Sequence, residues 1–413
     1  MISRRSLLAA AGVGALGSTL SLTGCGSSSD DDGAISVYSW RQEDTEGYQQ
    51  LFGAFTAANA GITVEFEPFN STDYDQILAT AMKAGDALDV IQLRPYAAGR
   101  EIIDGGSLAP LDDLPGLSAF KPADLGAVSG SDGKVYGVPL ALNALISLYN
   151  VDLFEKHKIA EPTTWPEFLD ACQKLKSAGI VPIAQSGKAA YLLSILYEAV
   201  ASAALPDGFV QAAHDGSADF TGPEFRQSVQ RVLDLKPFLP DSFIGMADDE
   251  ARAMFAQGEA AMYINGDYRI KPLLELNAKL NLGYLPSLPD SGSASRLCTF
   301  VDGAYAVLAD SKHLDDAKKL LAYLASADFG TAFGQVFSRL SPVPGTKPED
   351  DLHVKLADAI ASSGTQNLFI EIGGGQPDVK SEFENALQGA LGGQITADEL
   401  FAKTQDAYRS SRS

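Results

Sequence analysis

The stretch that most constrains the fold of this chain is residues 133–154, GKVYGVPLALNALISLYNVDLF. It contains two short apolar runs, residues 135–140 and 145–149, which are rich in β-branched and aromatic residues. Short apolar runs of this kind indicate buried strands rather than a helix, and a proline interrupts the first. The polar residue Asn143 lies between the runs, and residues 151–157 have a helical pattern. Two strands joined by a short link can share one sheet or carry the chain from one lobe to another.

The region before this stretch alternates strands with helices. Strands are predicted at residues 35–39, 62–67 and 89–93, and helices at residues 45–58 and 73–82. This alternation predicts parallel pairing in an α/β layer architecture. Ligands of such sheets bind beyond the carboxyl ends of the strands. Residues 40–43 and 94–96, which follow the first and third strands, are therefore expected at the functional edge.

Strands and helices continue towards the C terminus. Further strands are predicted at residues 181–184, 260–264, 282–285 and 297–308. Further helices are predicted at residues 192–203, 224–235, 248–257, 315–324 and 328–337. A helix is also predicted to begin at residues 164–167, because a capping box stands there with a proline in the first turn. The remainder is predicted to be helical except around residues 373–375.

Length and composition exclude several classes of protein. A chain of 413 residues is long for one core and comfortable for two lobes. The formal net charge of -22 argues against a nucleic-acid or anionic-membrane partner, because both require positive charge. Three cysteines are too few for a disulfide scaffold, and the sequence leaves open whether Cys172 and Cys298 pair.

The first 32 residues are predicted to lie outside the fold. A positively charged start is followed by an apolar, small-residue run over residues 7–22 and then by Cys25. Residues 1–24 resemble a bacterial lipoprotein signal peptide, after which Cys25 is the lipid attachment site. Residues 25–33 are then a flexible acidic tether. The export route, general or twin-arginine, stays open, and so does a plain secretory signal.

Motifs of the common enzyme chemistries are absent from the sequence. The four histidines, His157, His214, His313 and His353, are far apart and lack a metal-ligand spacing with cysteine or carboxylate. No GxSxG elbow, P-loop or zinc-peptidase motif occurs, so neither a metal nor a cofactor is predicted. Because 53 acidic residues allow many pairs of carboxylates, a secreted glycoside hydrolase stays open as the enzyme alternative.

Several stretches, in order along nearly the whole chain after the signal, carry a family resemblance. They are residues 89–92, 133–139, 148–154, 164–168, 255–262, 265–268, 302–305, 317–324 and 341–344. Together with the lipoprotein signal, they resemble extracellular solute-binding protein family 1. This family contains the maltodextrin-binding-protein-like, sugar-binding lipoprotein components of ABC importers.

The resemblance implies an α/β fold of the two-lobed, periplasmic-binding-protein-like kind (type II), with a ligand cleft between lobes joined by a multi-crossing hinge. Lobe one would comprise residues 34–142 and 303–345, and lobe two residues 143–302 and 346–413. The crossings would lie at residues 141–145, near 299–304 and near 344–349. A sugar that contacts both lobes would favour the closed form, which the ABC permease subunits in the membrane would recognise.

The resemblance also implies a receptor without catalysis or cofactor. The protein would be a monomer, held at the extracytoplasmic face of the bacterial cell membrane by the lipid on Cys25. A sensing or adhesion lipoprotein without transport stays open as a third alternative.

Sugars offer flat apolar faces and rims of hydroxyls, so their sites combine aromatic platforms with carboxylates, amides and arginines. On this basis we expect ligand contacts from the end of the first strand and from the inferred crossings. The candidates are Trp40, Arg41, Glu43, Arg94, Asn143, Asp267, Tyr268 and Asp302, with Tyr191 and Glu198 as weaker ones. Trp40 is the favoured aromatic platform, and Tyr268 occupies a position where the family often has tryptophan.

Overall fold

The computed structural model describes residues 33–84, 88–292, 294–348, 350–362, 367–373 and 377–412. The predicted signal peptide, Cys25 and nearly all of the predicted tether lie outside the described residues. Among the described residues, no single helix has the length and apolar composition of a membrane span. The bent pair Tyr191–Ala204 and Phe209–Asp215 meets these two criteria only when its members are taken together.

The described residues form ten strands and seventeen α-helices. The strands are β1 Ala34–Ser39, β2 Thr63–Pro68, β3 Val90–Leu93, β4 Val138–Pro139, β5 Leu142–Asn150, β6 Val181–Ala184, β7 Ala260–Gly266, β8 Leu282–Leu285, β9 Cys298–Val301 and β10 Ala304–Val307. The first helices are α1 Thr45–Ala58, α2 Tyr74–Ala84, α3 Arg100–Asp104, α4 Pro122–Gly126, α5 Val151–Lys156, α6 Trp165–Ser177, α7 Tyr191–Ala201, α8 Phe209–Asp215 and α9 Pro223–Asp234. The others are α10 Asp248–Ala256, α11 Ile270–Leu276, α12 Leu314–Leu324, α13 Ala327–Phe337, α14 Asp351–Ser362, α15 Leu368–Ile372, α16 Val379–Leu391 and α17 Ala397–Ser410.

Two sheets organise the molecule, which has the two-lobed α/β fold that the resemblance implies. The first sheet has the strand order β2-β1-β3-β10-β4, and the second has the order β6-β7-β5-β8, with β9 also paired to β5. Each sheet is covered by its own buried apolar clusters. Helix α1 illustrates why, since Tyr48, Leu51, Phe52 and Phe55 recur at helical spacing and are all buried on its one apolar face.

The expectation of parallel pairing is correct for only part of each sheet. β1 pairs in parallel with β2 and β3, and β6 pairs in parallel with β7. β10 is antiparallel to both of its neighbours, and β5 is antiparallel to β7, β8 and β9. The reason is that β5 and β10 enter their sheets directly from the other sheet, not through a helical crossover.

The chain passes between the sheets at two short connections. Residues 140–141 separate β4 of the first sheet from β5 of the second, and residues 302–303 separate β9 from β10. Gly303 has a φ of +84°, and a Cβ there would lie 2.9 Å from Gln92 Nε2 and 3.1 Å from Trp40 Cζ2. Glycine is therefore required at the second connection. A third segment approaches the same place, because the N–H of Leu142 donates to the carbonyl of Leu340 at 2.9 Å.

The interpretation of Asn143 as a joint between two strands is wrong. Asn143 lies inside β5, where it is 2% exposed and its amide nitrogen donates to Asp302 at 3.0 Å. A polar side chain is tolerated within the strand because it has this partner. The predicted first strand shortens to Val138–Pro139, since Pro139 has no N–H and Val135 instead forms a bridge with Ser129.

The predicted helix start at residue 164 is confirmed. The side chain of Thr164 accepts from the N–H of Glu167, whose carboxylate accepts from the N–H of Thr164 at 3.3 Å. The ring of Trp165, the first residue of α6, stacks on Phe168 with centroids 5.2 Å apart. Trp165 is therefore a packing residue of the apolar cluster on the second sheet.

Candidate ligand-binding cleft

A large cleft lies between the two lobes, with a volume of about 1430 Å³. Its walls come from segments that follow the strand ends of the first sheet and from β9, α7 and α15 on the other side. The side chains on the first-sheet wall include Trp40, Arg94, Tyr96, Arg100, Glu101, Lys121 and Asp124. Those on the opposite wall include Tyr191, Ser194, Ile195, Glu198, His214, Phe300, Phe369, Glu371 and Lys380.

Trp40 lines this cleft but is almost fully packed. It is 5% exposed, and its ring meets Tyr74 edge-on with centroids 5.4 Å apart. The guanidinium of Arg94 lies over the Trp40 ring, 4.7 Å from the centroid. Arg94 is itself held by Asp75, whose carboxylate oxygens accept from Arg94 Nε at 2.8 and 2.9 Å. The two predicted residues thus form one interlocked unit at the cleft wall.

Asp302 lies on the cleft at the connection between β9 and β10, and two arginines face it. Arg41 donates to its Oδ2 atom, and Arg339 Nη1 lies 3.8 Å from the same oxygen. Asn143 donates to that oxygen as well, at 3.0 Å. Although burial opposes ionisation, Arg41 and Arg339 hold the pKa of the Asp302 carboxyl below its ordinary value. Four side chains from separate segments therefore make one charged cluster at the sheet connections.

Of the remaining candidates, Glu43 lies at the edge of this cluster. Its carboxylate is 3.8 Å from Arg41 Nη1, and its side chain is 63% exposed. Arg41, Asn143 and Glu43 are not among the described residues that line the cleft. Arg41 and Asn143 bond to Asp302 and can orient it, whereas Glu43 contacts only Arg41.

Asp267 and Tyr268 lie apart from the cleft wall formed by the described residues. Asp267 is fully buried, and its Oδ1 accepts from the N–H of Ala144 at 2.9 Å. Its Oδ2 has no partner among the described residues. Burial raises the pKa of Asp267 to about 6. The Tyr268 hydroxyl donates to Asn265 Oδ1 at 2.9 Å, so that ring is fixed beside β7.

The two weaker candidates lie on one face of α7. Tyr191, Ser194, Ile195 and Glu198 follow each other at the i, i+3, i+4 and i+7 spacing of a single helix face, and all four line the cleft. Tyr191 is 49% exposed, whereas Glu198 is 2% exposed. The other residues of the helix are buried, most of them in the apolar cluster that packs against the second sheet. In the sequence this face is marked by Ser194 and Glu198, which lie four positions apart in an otherwise apolar helix.

Sequence reasoning did not single out the C-terminal contribution to the cleft. Glu371, near the end of α15, and Lys380, in α16, both line it. Their position depends on the packing of α16 against α7 and of α15 against α8. No local pattern in the sequence of residues 367–391 predicts this packing. The phenolic oxygen of Tyr96 likewise reaches across the cleft, where it accepts from the N–H of Val301 in β9 at 3.0 Å. Its backbone has a φ of 59°, uncommon for a tyrosine.

The described residues contain no group of three or more His, Cys, Asp or Glu side chains that could hold a metal ion. Cys172 and Cys298 are both free and buried. The Cys298 thiol contacts Asn367 Oδ1 at 3.0 Å. Within the described part of the chain neither sulfur takes part in a disulfide, so Cys172 and Cys298 do not pair with each other.

Comparison with known proteins adds four findings. The family model of the bacterial extracellular solute-binding proteins matches residues 39–330. A binding protein of Brucella abortus (strain 2308) is 26% identical over 369 residues, 86% of this chain and 86% of that protein. A solved chitin oligosaccharide binding protein has a TM-score of 0.79 and 23% identity, covering 92% of this chain and 99% of that one. SBP RafE in complex with raffinose has a TM-score of 0.78 and 18% identity, covering 92% and 100%.

Proposed function

Because the chain belongs to the family of bacterial extracellular solute-binding proteins, we propose that it is an extracytoplasmic carbohydrate receptor that delivers its ligand to an ABC importer. The ligand would be a mono- or oligosaccharide, and the protein would have no catalytic activity. The single observation that carries this proposal is the cleft between the lobes, where aromatic rings stand beside carboxylates, arginines and amides. This combination suits the flat apolar faces and hydroxyl rims of sugars.

The neighbours support a carbohydrate as the ligand class. One binds chitin oligosaccharide, and another was solved in complex with raffinose. A cleft of about 1430 Å³ has room for more than one sugar ring, since sites for small ligands commonly measure about 300–1,000 Å³. We therefore favour an oligosaccharide within the proposed class.

For direct contacts we propose Trp40, Arg94 and Asp302 on one side and the exposed ring of Tyr191 on the other. The guanidinium over Trp40 leaves the edge of that ring for the ligand, so Tyr191 is the better stacking platform. Arg41, Glu43 and Asn143 would act through these contacts by orienting charges at the sheet connections. Asp267 and Tyr268 would act less directly, through the second sheet, where they bond to the N–H of Ala144 and to Asn265.

The proposed mechanism is hinge closure. Lobe one would be residues 34–142 with 303–345, and lobe two residues 143–302 with 346–413. Bending at residues 140–141 and 302–303 would move the lobes with few broken contacts, because only two residues join the strands at each place. A sugar that touches both walls binds the closed form better and shifts the population towards it. The permease subunits of the importer would then recognise the closed complex.

The sequence of the N-terminal segment supports a proposed lipid anchor. Cys25 would carry the lipid, and residues 25–33 would tether a monomeric receptor to the outer face of the cell membrane. Radiolabelled palmitate incorporated into the wild-type chain, and lost in Cys25→Ser, is the expected result. Equal labelling of both chains would disprove the anchor.

The experiment that tests the receptor proposal is calorimetric titration of the full chain carrying Cys25→Ser, which keeps the protein free of lipid. The protein is titrated separately with neutral mono- and oligosaccharides and with peptides and polyamines. The sugars are galactose, maltotriose, raffinose, xylotriose and chitotriose. We expect a saturable 1:1 signal from at least one sugar and none from the other classes. Binding of a peptide or polyamine alone would contradict the ligand class, and release of reducing sugar from the oligosaccharides would identify a hydrolase.

A further inference from the structure

Glu198 is an acidic side chain on the α7 face, and the contacts proposed above give it no role. It lines the cleft yet is only 2% exposed. Its Oε1 accepts from the N–H of Phe369 at 2.8 Å. Its Oε2 is buried and has no hydrogen-bond partner among the described residues. A buried carboxylate oxygen without a donor is strongly disfavoured, whereas the neutral acid carries its own donor.

The charges around Glu198 do not compensate an ionised carboxylate. The titratable groups that face this side of α7 are Tyr197 of α7, Cys298 of β9, Glu371 of α15, and Lys380 and Glu384 of α16. Lys380 is the cation among them, but its ammonium group lies beside Glu384, at 3.9 Å. Burial raises the pKa values of Tyr197 and Cys298, so both are neutral at pH 7.

The balance of these effects favours the neutral form of Glu198. Burial raises the pKa of Glu198 to about 8, and Glu371 adds to the rise. The backbone N–H groups of Phe369 and Leu368 and the charge of Lys380 work in the opposite direction. Because the net result lies above neutrality, the proton stays on the carboxyl group at pH 7.

We propose that Glu198 is a specificity-determining residue of the cleft: when ligand binds, its side chain turns to expose a protonated Oε2, which donates a hydrogen bond to an acceptor oxygen of an uncharged sugar. This inference rests on the proposed carbohydrate receptor. Every sugar ring and glycosidic linkage offers such an acceptor, so the group selects for a neutral carbohydrate. A ligand that carries an ammonium group would instead require the ionised carboxylate and would release the proton.

The proposal makes binding depend on pH in a defined direction. The proton must be present in the complex, and the entry of the ligand removes water and raises the pKa further. Affinity is therefore constant below about pH 8 and falls above it, by up to about tenfold per pH unit, until the complex itself loses the proton.

The test uses the full chain carrying Cys25→Ser and the tightest-binding sugar of the neutral panel named above. Calorimetric Kd values are measured from pH 6 to pH 10 for the chain that retains Glu198 and for two variants at this position. Glu198→Gln retains a donor in place of the acid, so its Kd should stay within about threefold of the wild-type value at pH 7 and be flat with pH. Glu198→Ala removes the donor and should weaken binding by about 3- to 10-fold at pH 7.

Glu371→Gln is the matched control from the same wall. It removes a like charge that raises the pKa of Glu198, so the fall in affinity should begin at a lower pH. The ligand-free chain gives an independent readout, because the ¹³C shift of the Glu198 carboxyl should titrate near pH 8 and should be missing in Glu198→Gln.

Three results would overturn the inference while leaving the receptor proposal intact. They are a loss of more than tenfold in Glu198→Gln at pH 7, a wild-type Kd that does not change up to pH 10, and tighter binding of chitosan trimer than of any neutral sugar. If no neutral sugar binds the wild-type chain at any pH, the receptor proposal fails and this inference fails with it.

Discussion

The two walls of the cleft shift the pKa values of their carboxyl groups in opposite directions. On the first wall and at the sheet connections, Asp302 faces Arg41 and Arg339, and its pKa is held below the ordinary value. On the second wall, Glu198 is only 2% exposed and forms no ion pair with the described residues, and its pKa is raised to about 8. The same functional group is thus kept ionised at one wall and neutral at the other.

The aromatic residues repeat this contrast. Trp40 on the first wall is locked between Tyr74 and Arg94, whereas Tyr191 on the second wall is half exposed. The aromatic ring of the first wall is therefore held rigidly, whereas that of the second wall is open to solvent. We expect changes on the first wall to alter stability most, and changes on the second to alter binding and its pH dependence.

The largest effect is expected from Asp302→Ala. The change leaves the buried guanidinium of Arg41 without its main counter-charge, which should lower the free energy of unfolding by about 4 kcal/mol. Urea denaturation followed by circular dichroism measures it. The control is Glu43→Ala, which removes an exposed carboxylate 3.8 Å from the same arginine and should change stability by less than about 0.5 kcal/mol. Equal effects of the two changes would refute the account of the first wall.

Trp40→Ala comes next. Truncation of this packed ring leaves a cavity beside Tyr74 and uncovers Arg94, so a loss of about 3–4 kcal/mol is expected in the same denaturation experiment. Sugar affinity should also fall, because the cleft wall collapses. An unfolding midpoint within error of the wild type would show that the ring is less confined than its contacts imply.

Glu198→Gln should raise the free energy of unfolding at neutral pH, whereas the two changes on the first wall lower it. A carboxyl whose pKa rises on folding makes the folded state progressively less favourable as pH climbs from about 4.5 to about 8, because the unfolded chain is already ionised. The variant escapes this loss and should be more stable than the wild type by about 3 kcal/mol at pH 7 and equally stable at pH 4. Denaturation curves at pH 4, 5.5 and 7 give the slope. A constant difference across this range would mean that Glu198 does not change its charge on folding.

The smallest stability effect is expected from Tyr191→Ala. With half of its surface already in solvent, the ring contributes little to the core, so the free energy of unfolding should change by less than about 1 kcal/mol. Sugar affinity should nevertheless fall by about tenfold if the ring stacks on the ligand. Calorimetry on Tyr191→Ala and Trp40→Ala in parallel separates a stacking role from a packing role. Unchanged affinity in Tyr191→Ala would show that this ring does not stack on the ligand.

Much of the fold could be predicted from local patterns. Helix α1 has the predicted bounds, as do β6 and β8, because each is set by the spacing of its own apolar residues. The predicted run at residues 297–308 is instead divided into β9 and β10 by Asp302 and Gly303. A left-handed glycine next to a charged residue interrupts the extended backbone there. Nothing in the apolar periodicity marks that the two halves belong to different sheets.

The candidate site was less accessible to sequence reasoning. Trp40, Arg94 and Asp302 lie on the cleft because strand ends and sheet connections can be located from the chain order. The sequence places Glu198 with Ser194 on the polar face of an otherwise apolar helix, but it does not show that this carboxyl group is buried. The group that fixes it, the N–H of Phe369, is 171 residues away.

The sequence by itself determined the alternation of strands and helices, the family and the place of the first strand's end, which lies at the cleft. These depend on residues that are neighbours in the chain or that recur at a fixed period. Only the tertiary structure decided which carboxyl groups near the cleft are ionised. That depends on charges and burial supplied by distant segments, such as Arg41 for Asp302 across 261 residues. Electrostatic energy follows distance in space, and chain spacing does not encode it.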